Sequence, residues 1–292
     1  MSASTDSSLT AQEDQPQQIQ LLASTDDDYD GVIVEINDLV MDSTTFLSIL
    51  RPSISSWKQQ GKKGVWIKLP IHLANLVETL IKEGFWYHHA EPKYLMLVHW
   101  IADSANTIPA NATHRVGVGA LVVNEKREVL VIQEKTGHFK GTGSWKFPTG
   151  VADQGEEIWE TAVREVKEEA GVSNLFVVDS EFVEVLAFRQ SHASFFEKSD
   201  LFFVCLLRPL SSDIKIQEVE IEAGKWMPFD EYAAQPFMEK YELLRQINDI
   251  YLAKINGHYS GFTPVSTKSN YSNQKNSYLY LNAGALKRSN SL

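Results

Sequence analysis

Residues 150–172 read GVADQGEEIWETAVREVKEEAGV, and the rest of the chain has to be arranged around them. Successive helical residues turn by about 100°, so Glu165, Glu168 and Glu169 fall on one narrow face. Ile158, Ala162, Val163, Val166 and Ala170 fall on the opposite face, at the spacing of an apolar stripe. A helix of this kind packs one side into a core and carries a cluster of negative charge on the other. Three carboxylates so close repel one another unless a cation sits among them. Their oxygens are hard ligands that suit Mg²⁺ or Mn²⁺, and Mg²⁺ is usually shared between carboxylates and substrate phosphates. Taken alone, the three glutamates read first as a plain solvated acidic face.

The positions around them change that reading. Gly150 closes a loop that needs backbone freedom, and Gly171 suits the left-handed position that ends a helix. Glu156 and Glu157 stand in the first helical turn, where negative charge is favoured. Arg164 can grip carboxylates in a bidentate fork. Gly150, Glu156, Arg164, Glu165, Val166, Glu168, Glu169, Gly171 and Val172 match the Nudix hydrolase signature without gap or substitution, and the stretch resembles that family. The resemblance implies an α/β fold, the Nudix α/β/α sandwich with a mixed sheet. It also implies Mg²⁺-dependent hydrolysis of nucleoside diphosphate derivatives, with Mn²⁺ as the alternative ion. Glu165, Glu168 and Glu169 would bind the metal, and Arg164 would orient them. Glu168 is the first choice as general base, with Glu220 and Glu222 in QEVEIEAGKWMP as later candidates. Those two read equally as solvent-facing positions of a strand.

The chain has 292 residues, 43% of them hydrophobic, enough for two domains with real cores. A net charge of −11 argues against a general nucleic-acid binder, which would show a basic face. A bound divalent cation still lets an acidic protein take a phosphorylated substrate. Cys205 is the one cysteine, so no disulfide framework is expected. It lies in an apolar run and reads as a buried, inert thiol. No Lys or Arg precedes Arg51, and no run is long enough to span a membrane, so a protein of the cytosol or nucleus is expected.

Residues 1–28 form a polar N-terminal stretch, expected to be a disordered tail. Asp26, Asp28 and Asp30 imitate a calcium loop but lack its closing glutamate, and an acidic loop is the better reading. Residues 29–104 read as a first α/β domain. Within it, Met41–Gln60 forms a helix that Pro52 kinks or breaks, and Ile71–Lys82 forms a second helix. His88 and His89 sit next to each other on a strand, where neighbours point to opposite faces, so they are not expected to share a metal. GKKGVWIKLP and GFWYHHAEPKYLML resemble the acetyltransferase-like domain that precedes the Nudix domain in a plant group of ADP-ribose and NADH pyrophosphatases. No Gly-rich pyrophosphate loop accompanies them, so the domain reads as scaffold or dimer former. ANTIPANAT, 105–113, is a linker. The Nudix-like domain spans 114–262. Residues 265–292 read as a weakly ordered polar tail in which Ser277–Leu281 is a stray strand.

The likeness to the plant group also rests on TIPANATHRVGVGALV and LAFRQSHASFFEKSDLFFVC. It implies cleavage of ADP-ribose to AMP and ribose 5-phosphate, cleavage of NADH to AMP and reduced nicotinamide mononucleotide, and a homodimer. Phe188, Arg189, Gln190 and His192 are placed to line the substrate pocket, Phe188 by stacking a base and Arg189 by meeting phosphate. Phe188 in the core and Arg189 on the surface is an equal alternative.

Overall fold

The computed structural model describes residues 20–36, 42–137, 139–170, 180–210, 214, 220–267 and 277–282. The chain divides into two compact units at Asn111/Ala112. The expected disorder of 1–19, the left-handed glycine at 171 and most of the polar tail fall outside the described residues.

The first unit contains β1 (Thr25–Asp26), β2 (Val32–Glu35), α1 (Ser43–Gln59), β3 (Gly64–Pro70), a 3₁₀ segment (Ile71–Leu76), α2 (Val77–Lys82), β4 (Trp86–Glu91) and β5 (Tyr94–Trp100). Its sheet order is β1-β2-β3-β5-β4, with β2 and β3 parallel and the other pairs antiparallel. Asp42 caps α1 by accepting from the N–H groups of Thr44 and Thr45 at 2.9 and 3.0 Å.

Contrary to expectation, α1 runs through Pro52. A proline inside a helix costs about 3 kcal/mol. Burying a large apolar side chain gives roughly 1.5–3 kcal/mol, and α1 buries Phe46, Ile49, Leu50 and Trp57 on either side of the proline, so burial wins. His88 and His89 need the larger correction. A register shift between Tyr87 and His89 breaks the strand alternation and brings their Nδ1 atoms to 2.8 Å. The Asp26 and Asp30 carboxylates of the acidic loop are ion-paired with Lys62 and Lys63.

The second unit contains β6 (His114–Val122), β7 (Glu128–Glu134), β8 (Thr149–Val151), α3 (Ile158–Ala170), β9 (Ser180–Phe195), β10 (Lys198–Pro209), β11 (Ile221–Pro228), α4 (Phe229–Ala233), α5 (Pro236–Lys240), α6 (Glu242–Ile255), β12 (Thr263–Thr267) and β13 (Ser277–Leu281). Its main sheet is ordered β8-β6-β10-β9, with β6 and β10 parallel, and β7 pairs with β11. Strand alternation sorts the side chains into two layers. Val118, Ala120, Val122, Val185, Cys205 and Leu207 pack with Ala162 and Val166 of α3. Leu121, Leu186, Val204 and Leu206 pack with Ile247 and Tyr251 of α6. The sheet therefore lies between two helical layers, an α/β/α sandwich. Burial in the first layer pushes the Cys205 thiol up to about 12. Ser277–Leu281, assigned from sequence to a weakly ordered tail, pairs in full with Thr263–Thr267. No helix among the described residues is long and apolar enough to cross a membrane.

Gly119 of β6 marks close packing in this sheet. A Cβ there would lie 2.5 Å from Phe147 and 2.7 Å from Phe202. Gly119→Ala is expected to destabilise the second unit by about 1–3 kcal/mol in denaturant unfolding. A midpoint equal to wild type would refute this packing.

Candidate active site

Strand β8 and helix α3 form one unit. The turn between them is closed by the Asp153 N–H on Glu156 Oε2 and the Glu156 N–H on the Asp153 carbonyl, both at 3.0 Å. Helix α3 then packs its apolar stripe on β6 and β9. The acidic face behaves differently from the solvated surface its charges suggest. Glu165 is buried, and Glu169 is nearly so, while the Glu168 side chain remains 57% exposed.

Two backbone contacts seat the buried pair. A Cβ on Gly150 would stand 1.9 Å from the Glu165 carboxylate, so only glycine leaves room for it. The Thr149 N–H donates to Glu169 Oε2 at 3.0 Å. Arg164 draws the cluster together. Its Nε and Nη2 donate to the two Glu156 oxygens at 2.7 and 2.9 Å, its Nη1 to Glu165 at 2.8 Å and Glu168 at 3.0 Å, and its Nη2 to the Val151 carbonyl at 3.0 Å.

The electrostatics separate these groups. The Arg164 fork holds the Glu156 carboxyl down at about 2. Burial raises Glu165 despite Arg164, and raises Glu169 to about 7 despite Lys146 and the Thr149 amide. The charged forms of both are therefore short of compensation. Among the described residues no three His, Cys, Asp or Glu side chains converge into a metal-holding group. The donor set nonetheless fits a hard divalent cation, with two under-compensated carboxylates side by side and a third exposed next to them.

Three residues around this pair carry no signal in the spacing of the glutamates. Lys146 contacts Glu134 at 2.5 Å and Thr149 Oγ1 at 2.7 Å, and Glu134 is close enough to raise Glu169 further. Lys146 and Thr149 lie directly ahead of Gly150, and their polarity beside Phe147 and Pro148 was the available hint.

Arg189 lines both a cavity of about 160 Å³ shared with Lys146 and Thr149 and a larger cleft of about 960 Å³. The larger cleft is of ligand size. Phe188 stacks on Phe203 at 5.5 Å and is 59% exposed, and its neighbour Arg189 is exposed as well. Phe139, Lys240 and Tyr241, which sequence reasoning missed, line the same cleft. Gln190 and His192 are engaged elsewhere, with His114 and Ser199. Glu220 and Glu222 line neither cavity, and Glu222 is exposed on β11.

The ion pair between Glu156 and Arg164 has a pH signature. The folded carboxyl lies below its ordinary value near 4.5, so its contribution to stability is complete above pH 4.5 and is lost as the pH falls towards about 2. Urea midpoints across this window should fall more steeply for wild type than for Glu156→Gln. Parallel pH curves would contradict the pairing.

The chain matches the family model described as "Nudix hydrolase domain" over residues 22–101 and the one described as "NUDIX domain" over 113–247. It is 59% identical over 245 residues to Nudix hydrolase 2 of Arabidopsis thaliana, covering 84% of this chain and 86% of that protein. It is 34% identical over 196 residues to the human nucleoside diphosphate-linked moiety X motif 6, covering 66% of this chain and 59% of the human protein. Among solved structures it is similar to a MutT NUDIX hydrolase from Burkholderia pseudomallei, at 22% identity and a TM-score of 0.36, covering 46% of this chain and 98% of that one.

Proposed function

The chain belongs to the Nudix hydrolase family, and from that premise we propose that it cleaves the pyrophosphate of ADP-ribose and of NADH. The observation that carries the proposal is the seating of two glutamates, Glu165 and Glu169, against β8, with burial working against their charged forms. The choice of substrate is supported by the sequence likeness to the two-domain plant group.

Glu165, Glu168 and Glu169 would hold Mg²⁺. When bound, such an ion neutralises phosphate oxygens and lowers the pKa of a coordinated water. The chain's own groups do the rest. Gly150 and the Thr149 amide seat Glu165 and Glu169, and Arg164 orients Glu165. Glu168 is exposed beside them and takes the proton from the attacking water, in preference to Glu220 or Glu222. Arg189 meets the pyrophosphate, and Phe188 offers its open face to a base. A phosphate leaves, so no covalent nucleophile is needed. We also read the protein as a homodimer of the cytosol or nucleus. A solution mass equal to one 33.0 kDa chain would remove the dimer.

A panel of nucleotides with Mg²⁺ should show ADP-ribose and NADH hydrolysed ahead of dinucleoside polyphosphates, oxidised nucleotides and CoA; equal or faster turnover of any of those sinks the substrate assignment. Glu168→Gln and Glu169→Gln are each expected to lower kcat by about 10²–10⁴-fold with the fold intact by circular dichroism. Arg189→Ala is expected to raise KM by about 10–100-fold, the equivalent of one lost charge-assisted hydrogen bond. An unchanged KM would place the phosphate elsewhere.

A further inference from the structure

His88 and His89 stand on β4 in the first unit, where regular alternation would turn them to opposite faces. The register of β4 against β5 runs Tyr87↔Leu97 and then His89↔Met96, so His88 is the extra residue of a bulge. The two Nδ1 atoms come to 2.8 Å as a result. Neighbours hold the rings in place. Trp66 of β3 meets the His88 ring edge-on with centroids 4.9 Å apart, and Tyr94 of β5 meets the His89 ring at 6.0 Å.

The hydrogens of this pair are set by its surroundings. His88 Nε2 lies 3.0 Å from the Pro109 carbonyl, which can only accept, so that nitrogen carries a hydrogen. In the neutral pair His88 Nδ1 is therefore bare, and the His89 Nδ1–H donates to it. A ring whose far N–H rests on a backbone carbonyl, with its other nitrogen bare, is the arrangement that metal-binding histidines use. Both residues are half-buried, so solvent and solutes have access to them.

The spacing discriminates between ions. Two nitrogens each about 2.0 Å from one ion stand about 2.8 Å apart at a right angle, and about 3.3 Å apart at the tetrahedral angle. The pair has the right-angle spacing, that of neighbouring positions in a square-planar or tetragonal shell. Cu²⁺ takes such a shell and binds nitrogen most tightly among the divalent first-row ions. Among the described residues no third His, Cys, Asp or Glu joins the pair, which leaves the other positions to water. Mg²⁺, which prefers oxygen, does not suit it.

We propose that His88 and His89 form a two-nitrogen site for Cu²⁺, chemically distinct from the glutamates of α3. On binding, the hydrogen bond between the two Nδ1 atoms gives way to two Cu–N bonds. The His89 hydrogen passes through solvent from Nδ1 to Nε2, so neither ring changes charge and the ion keeps its oxidation state. None of this depends on the hydrolase reading. The test is calorimetric titration of the untagged full chain with CuCl₂, NiCl₂ and ZnCl₂ in excess Mg²⁺. Cu²⁺ should bind more tightly than Ni²⁺ or Zn²⁺, and pulsed EPR of the Cu²⁺ complex should show the remote nitrogens of two imidazoles. His88→Gln and His89→Gln should each weaken Cu²⁺ binding by at least about tenfold. His258→Gln, at an exposed histidine of the other unit, should leave it unchanged. Wild-type Cu²⁺ affinity in both β4 variants overturns the proposal. So does tighter binding of Zn²⁺ than of Cu²⁺, or an EPR signal from one imidazole or none. The EPR needs only the wild-type chain, so it decides the matter even where a variant does not fold.

Discussion

Arg164 is the group on which the site's arrangement depends. A single guanidinium spans Glu156, Glu165, Glu168 and the Val151 carbonyl, tying the turn, the strand and the helix together. Its effect on its partners is unequal, and the inequality is informative. Glu156 receives two bonds from the fork and one from the Asp153 amide, so pairing outweighs desolvation and the carboxyl is held down. Glu165 receives one bond and is buried, so desolvation outweighs pairing. Arg164 therefore acts as a structural tie as well as an orienting group.

The backbone of β8 is the second half of the device. Gly150 is glycine because the Glu165 carboxylate occupies the place of a side chain, and Thr149 gives its N–H to Glu169. The fixed interval between Gly150 and the glutamates thus records a contact between a strand and a helix. It seats two carboxylates whose charged forms burial works against. The large cleft is assembled from more distant parts: Phe188 and Arg189 on β9, Phe139 in a loop, and Lys240 and Tyr241 at the junction of α5 and α6.

Much of this was legible in the residues, and the failures have physical causes. The apolar stripe of α3 is a local pattern, and the helix formed where the pattern placed it. Helix α1 survived Pro52 because tertiary burial outweighed a local penalty. His88 and His89 met because a β-bulge breaks the strand period, and a bulge has no signature in the strand's own residues. The acidic face of α3 was expected to be solvated or metal-bound. Its partial burial came from β8 folding over it, which the helix sequence does not encode.

By itself, the sequence determined the chemistry of the helix: which residues carry charge, at what interval, and which glycine precedes them. These are properties of one contiguous stretch, set by helical geometry. Only the tertiary structure decided how deeply each glutamate is buried and which of them Arg164 compensates. It alone brought Glu134, Lys146 and Thr149 to their side and set the Tyr278 ring against Trp159 in the first turn of α3. Those outcomes depend on desolvation and on contacts between residues far apart in the chain, and neither is a property of any single segment.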